Sequence, residues 1–123
     1  MKVIQFDPKG GKLLASIKFT GLIAAAYGLK LAEANSNQKV FYEEGDNQNT
    51  EDDKYYLPVP VEDNNGRVLR LTTDFYGLDP KNYPDYKIEL EIYQGNKLLG
   101  SESDTDKVTG KTQSSLIFLK LSI

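Results

Sequence analysis

The sequence predicts an all-β fold, with two antiparallel sheets packed face to face as a β-sandwich in a single domain over residues 1–123. Three observations point there. Tyr86 to Tyr93 alternates strictly, putting Tyr86, Ile88, Leu90 and Ile92 on one face and Lys87, Glu89 and Glu91 on the other, which is the period of a strand with one dry and one wet side. Short apolar runs recur along the whole chain and are separated by Gly, Asn, Asp and Pro, residues that suit turns between strands better than helical crossovers. A helix competes for one segment alone, Leu22 to Ala34.

Taken in order, Val3 to Phe6 and Leu13 to Phe19 read as strands parted by the turn residues Pro8-Lys9-Gly10-Gly11. Leu22 to Ala34 is rich in Ala and Leu, Thr20 offers an N-cap and Asn35 a stop, so a helix over 22–34 stays open. Against it, Ile23, Tyr27, Leu29 and Leu31 fall at odd positions while Ala24, Ala26, Gly28, Lys30 and Ala32 fall at even ones, a period of two that favours a strand. Its small side, Ala24, Ala26 and Gly28, is expected to turn inward where two sheets pack most tightly; exposed, it would be an interface.

Asn35-Ser36-Asn37-Gln38 then turns the chain into a strand at Lys39 to Glu43, followed by a polar loop from Glu44 to Lys54. Asn65-Gly66 predicts a hairpin between Tyr55–Val61 and Arg67–Thr73. Pro58 and Pro60 mark the first of these as an edge strand, with Leu57, Val59 and Val61 directed to the core. Gly95-Asn96 predicts a second hairpin, joining Tyr86–Tyr93 to Leu98–Glu102. The last segment, Ser115 to Ile123, is apolar on both sides for most of its length, the pattern of a central strand covered on both faces. Roughly seven to nine short strands in this order suit a sandwich of immunoglobulin-like or C2-like general shape.

Composition excludes more than it assigns. With no Cys and no His, the chain has no disulfide, no thiolate chemistry and neither the commonest general base nor the commonest transition-metal ligand. A net charge of −3 removes the electrostatic drive onto a phosphate backbone, so nucleic acid is not an expected partner. Lys2, Asp7 and Pro8 interrupt the stretch where a secretory signal needs an apolar run, and no stretch reaches a membrane span. The cytoplasm is therefore the default location, with export by another route left open.

Two clusters invite a functional reading. Glu43 to Asp53 concentrates carboxylates and amides, the hard oxygen ligands that Ca²⁺ takes; Asp46, Glu51, Asp52 and Asp53 are its candidate ligands, joined by Asp104 and Asp106 from a second acidic loop. An EF-hand is absent, since counting from Asp46 puts Glu51 at the sixth position and Leu57 at the twelfth. A solvated acidic loop that guards a strand edge accounts for the same residues. The second cluster is aromatic: Phe75, Tyr76, Tyr83 and Tyr86 fall in one Pro- and Asp-rich connection, and with Tyr55 and Tyr56 they form a candidate interaction surface. The same rings could instead staple the connection to the sandwich rim, and the absence of Trp weakens a glycan platform.

Glu89 and Glu91 lie on a wet strand face, without the burial that would split two carboxyls into an acid and a base. Gly10-Gly11-Lys12 lacks the spacing and the hydroxyl residue of a phosphate loop. The expectation is thus a non-catalytic structural or protein-interaction domain, self-associating or bound to a protein partner in an assembly, without a cofactor. The alternative is a small module that binds calcium or a glycan on the loops at one end of the sandwich.

Overall fold

Alternation carries directly into strands. In the computed structural model, which describes every residue from Met1 to Ile123, nine strands form: β1 Lys2–Gln5, β2 Leu13–Thr20, β3 Ile23–Ala32, β4 Lys39–Asp46, β5 Asp53–Tyr56, β6 Val68–Gly77, β7 Asp85–Gln94, β8 Lys97–Lys107 and β9 Gln113–Ser122. They pair as a five-stranded sheet in the order β1-β9-β6-β3-β4 and a four-stranded sheet in the order β5-β2-β7-β8. All pairs are antiparallel except β1 with β9, which run parallel. The sheets enclose one cluster of 23 buried apolar residues, and the only helical element is a 3₁₀ turn at Val61–Asn64. No helix is long and apolar enough to cross a membrane.

Residues 23–32 are a strand, as the two-residue period favours, so the helix alternative falls. Its bulky residues Tyr27, Leu29 and Leu31 are buried. The small side therefore faces out rather than toward the opposite sheet, contrary to expectation.

The Asn65-Gly66 hairpin does not form. β5 and β6 belong to different sheets, and residues 57–67 cross from one layer to the other. The dipeptide makes another kind of turn: Asn65 has φ −60° and ψ 123°, Gly66 has φ 83°, and Arg67 N–H donates to Asn64 C=O at 3.1 Å. Those angles are the type II pattern, whereas a tight hairpin needs positive φ at the first central residue. Without a strand there, alternation lapses across the prolines. Leu57 and Val61 are buried but Val59 is exposed.

Strand β9 is central in its sheet, yet it is covered on one side only. Ile117, Leu119 and Leu121 are buried while Leu116 and Phe118 are exposed, because a two-layer sandwich has no third layer to cover the outer side.

Each margin of the sandwich is closed differently. On one side Gly100 of β8 lies beneath Ile4 of β1, where an added Cβ would sit 3.2 Å from Ile4 Cγ1. On the other, the Tyr27 hydroxyl of β3 bonds Asp53 and Tyr55 of β5, both at 2.5 Å. Between them Phe75 of β6 packs on Tyr86 of β7, ring centroids 4.6 Å apart.

Candidate contact surface on the five-stranded sheet

Strand register assembles the outer face of the five-stranded sheet in rows, one residue from each of four adjacent strands. One row is Tyr42, Lys30, Arg70 and Phe118, from β4, β3, β6 and β9. The next is Glu44, Gly28, Thr72 and Leu116, and the third is Asp46, Ala26, Asp74 and Ser114. Side chains in such rows are neighbours, about 5 Å apart at Cβ. The first row carries large and cationic groups, the third small and anionic ones.

The floor of the face is low because β3 contributes Ala26 and Gly28 there. Tyr42 lies across Gly28: a Cβ at that position would fall 2.9 Å from Tyr42 Cζ and closer still to its hydroxyl. The same device recurs on the inner face, where Tyr27 covers Gly45. Two shallow concavities of about 430 and 410 Å³ open on the outer face, and Lys30 and Arg70 line both. Met1, Val68 and Phe118 wall the first, Tyr42, Thr72 and Asp74 the second.

Leu116 is 56% exposed and Phe118 40%. None of the five ion pairs in the molecule involves Lys30 or Arg70. Asp74 accepts a hydrogen bond from Ser114 Oγ at 2.7 Å, not from a cation.

The outer face of the four-stranded sheet is different in kind. Lys18 Nζ holds Glu91 at 3.0 Å and the Tyr93 hydroxyl donates to the same carboxylate at 3.2 Å, while Lys87 sits 3.5 Å from Glu89. The hydrogen bond and charge of Glu91 raise the Lys18 pKa. Here Lys18, Lys87, Glu89 and Glu91 satisfy one another, while Lys54 is in none of the five ion pairs and the neighbouring row, Tyr56, Leu14, Tyr93 and Leu98, is aromatic and apolar.

The predicted aromatic surface does not hold together. Phe75 and Tyr86 are core residues. The Tyr86 hydroxyl donates to Asp104 at 3.2 Å, and burial, with Asp104 beside it, pushes its pKa up to about 12. Tyr55 turns its hydroxyl to Tyr27. Tyr56, Tyr76 and Tyr83 are exposed but scattered: Tyr56 on edge strand β5 with Lys12 5.4 Å from its ring centroid, Tyr76 near the end of β6, Tyr83 in the connection to β7.

The acidic residues divide in the same way. Asp46, Glu51, Asp52 and Asp53 line one concavity of about 300 Å³. Asp53 is engaged by Tyr27, Asp52 lies 3.9 Å from Lys18, and Asp46 accepts from Gln48 N–H at 3.0 Å. Asp104 and Asp106 belong to strand β8 rather than to a loop, at the opposite edge of the four-stranded sheet from β5. Three strand spacings separate those edges, on the order of 14 Å. No group of three or more acidic residues is placed to hold a metal ion.

Residues that sequence reasoning did not single out, Tyr42, Lys30, Arg70, Leu116 and Phe118, share one face and one row or its neighbour. A signal was present in the even-numbered small side of β3 and in the doubly apolar β9. Joining the two required the register. Comparison with known protein families, with curated proteins and with solved structures found no match to this chain.

Proposed function

We propose that this chain is a non-catalytic interaction domain that binds protein through the outer face of its five-stranded sheet. The observation that carries this reading is the exposure of Leu116 and Phe118 on a central strand beside the unpaired cations Lys30 and Arg70. Apolar surface grouped with mixed polar groups is the composition of a protein interface, where burial of the apolar part drives association and the charges select the partner.

Chemistry elsewhere in the molecule supports a structural use of its reactive groups. Burial, helped by hydrogen bonds to Asp53 and Tyr55, holds the Tyr27 hydroxyl firmly protonated. Glu91 is held by Lys18 and Tyr93, and Glu89 by Lys87. With no His or Cys in the chain, nucleophilic and general-base mechanisms built on them are excluded.

Carbene footprinting tests the reading. Labelling of Leu116 and Phe118 is compared between cells producing the protein and dilute purified protein. Both residues should lose label in the cell while Tyr56 and Tyr83 keep theirs. Equal labelling in the two samples would remove this face as a contact surface.

A further inference from the structure

The outer face of the five-stranded sheet is complementary to itself, and we propose that its occupant is a second copy of this chain, packed sheet to sheet about a two-fold axis over Thr72. This inference rests on the contact-surface reading above and specifies its partner.

A two-fold axis lying between the sheets and perpendicular to their strands reverses position along each strand while keeping each strand over its own counterpart. An isologous contact of this kind needs a patch whose two ends complement each other. The rows have that property. With the Glu44, Gly28, Thr72 and Leu116 row on the axis, the Tyr42, Lys30, Arg70 and Phe118 row meets the Asp46, Ala26, Asp74 and Ser114 row of the second copy.

Charge matches in that register on β3 and β6 and size on β9, while at the β4 rim Glu44 meets its own counterpart, a like-charge contact that leaves the attraction to the inner strands. Arg70 comes over Asp74 of the second copy. Lys30 comes over Ala26 of the second copy, whose short side chain leaves it room between Asp46 and Asp74. Phe118 comes over Ser114, large against small, and Leu116 meets its own counterpart near the axis. Within one chain Arg70 and Asp74 stand four residues apart on β6, about 13 Å along the strand, too far to pair. Across two sheets about 10 Å apart they are within joint reach. Aligned sheets cross at about 30°, so the match is best around the point where the axis passes over Thr72, on β3, β6 and β9.

The footprint is small. Four to five strands at about 4.8 Å spacing and some seven residues of length give on the order of 500 Å² per copy. About 1,000 Å² in total is the lower bound for a specific interface, which makes this a reversible dimer. Its formation is read by sedimentation velocity across a concentration series.

Charge reversal at Arg70 and Asp74 decides the register. R70D and D74R each place like charges across the interface and should weaken dimerisation about tenfold or more. The double variant R70D/D74R restores both pairs, exchanged, and should recover most of that loss. Both side chains are exposed, so the variants should melt within a few degrees of the parent, which circular dichroism confirms before sedimentation.

A dimer unaffected by either single change, or weakened by both without recovery in the double variant, overturns the proposal. A purified chain that stays monomeric up to about 1 mM, a concentration at which even a dimer of millimolar Kd is half formed, overturns it too. In that last case, protection of Leu116 and Phe118 in cells would retain the contact surface for a different partner, whereas unprotected residues would remove both readings.

Discussion

The Tyr27 hydroxyl donates to the Asp53 carboxylate at 2.5 Å, tying β3 of one sheet to β5 of the other at one margin of the sandwich. Burial and these bonds raise the Tyr27 pKa, and burial raises that of Tyr86 to about 12. For a tyrosine raised in the folded state, the folded form holds its proton after the unfolded form has lost it. The associated stability is therefore complete below the unfolded value near 10 and is lost as pH rises toward and through the folded one. Stability should fall steeply above about pH 10, and Y27F and Y86F should each flatten that slope. At neutral pH Y27F should cost about 1.5–3 kcal/mol, the range for a hydrogen bond to a charged group. Urea titrations at several pH values check both.

The paired Tyr-over-Gly contacts predict unequal costs for the same substitution. In G45A the new methyl would press on Tyr27, whose ring is buried and whose hydroxyl is committed to Asp53. A loss of about 1–3 kcal/mol is expected, as for an overpacked site. In G28A the methyl meets Tyr42, which is exposed and free to swing away. Removing a strand glycine also recovers about 0.5–1 kcal/mol, so G28A should be close to neutral. Thermal melts of the two variants give the comparison.

Alternation along β9 makes adjacent residues energetically unlike. I117A empties a buried position and should cost about 2–5 kcal/mol. L116S changes an exposed one and should leave the monomer within about 0.5 kcal/mol. Equal costs would mean that both sides of β9 are covered within one chain. Denaturant unfolding at concentrations too low for association separates these effects from any dimer.

Added calcium should not stabilise the fold. Asp53 is already bonded to Tyr27, Asp52 faces Lys18, and Asp104 and Asp106 lie at the far edge of the sheet. Melting midpoints with millimolar Ca²⁺ and with chelator should agree within about 1 °C, because a ligand raises the midpoint only by binding the folded state.

Local signals specified strands far better than their partners. The apolar side of β7 could be read residue by residue, since each of its side chains is buried, but Glu91 on the side expected to be wet is buried as well, held by Lys18 and Tyr93. Gly95, at φ 61°, turns β7 into β8 as a tight hairpin requires. Asn65-Gly66 looked equivalent but connects two layers, because a dipeptide limits the backbone angles of a turn without selecting the strands on either side. The Phe75 to Tyr86 cluster misled for a related reason. Phe75 ends up inward near the close of β6 and Tyr86 inward near the start of β7, so nearness in sequence became a core contact.

The contact surface was written in pieces that lie far apart in the chain. Gly28, Arg70 and Leu116 share a neighbourhood only through β3–β6 and β6–β9 pairing. Exposed apolar residues on β9 mimic the pattern of a doubly covered strand, and nothing local distinguishes a missing third layer from a present one.

Amide and methyl chemical shifts recorded from dilute to concentrated protein test the central claim most directly. The shifts that move with concentration should cluster at Gly28, Thr72, Asp74, Leu116 and Phe118, with Glu89, Glu91 and Tyr93 on the opposite sheet unmoved. Shifts confined to the β4 or β8 edge, or to the four-stranded face, would contradict it.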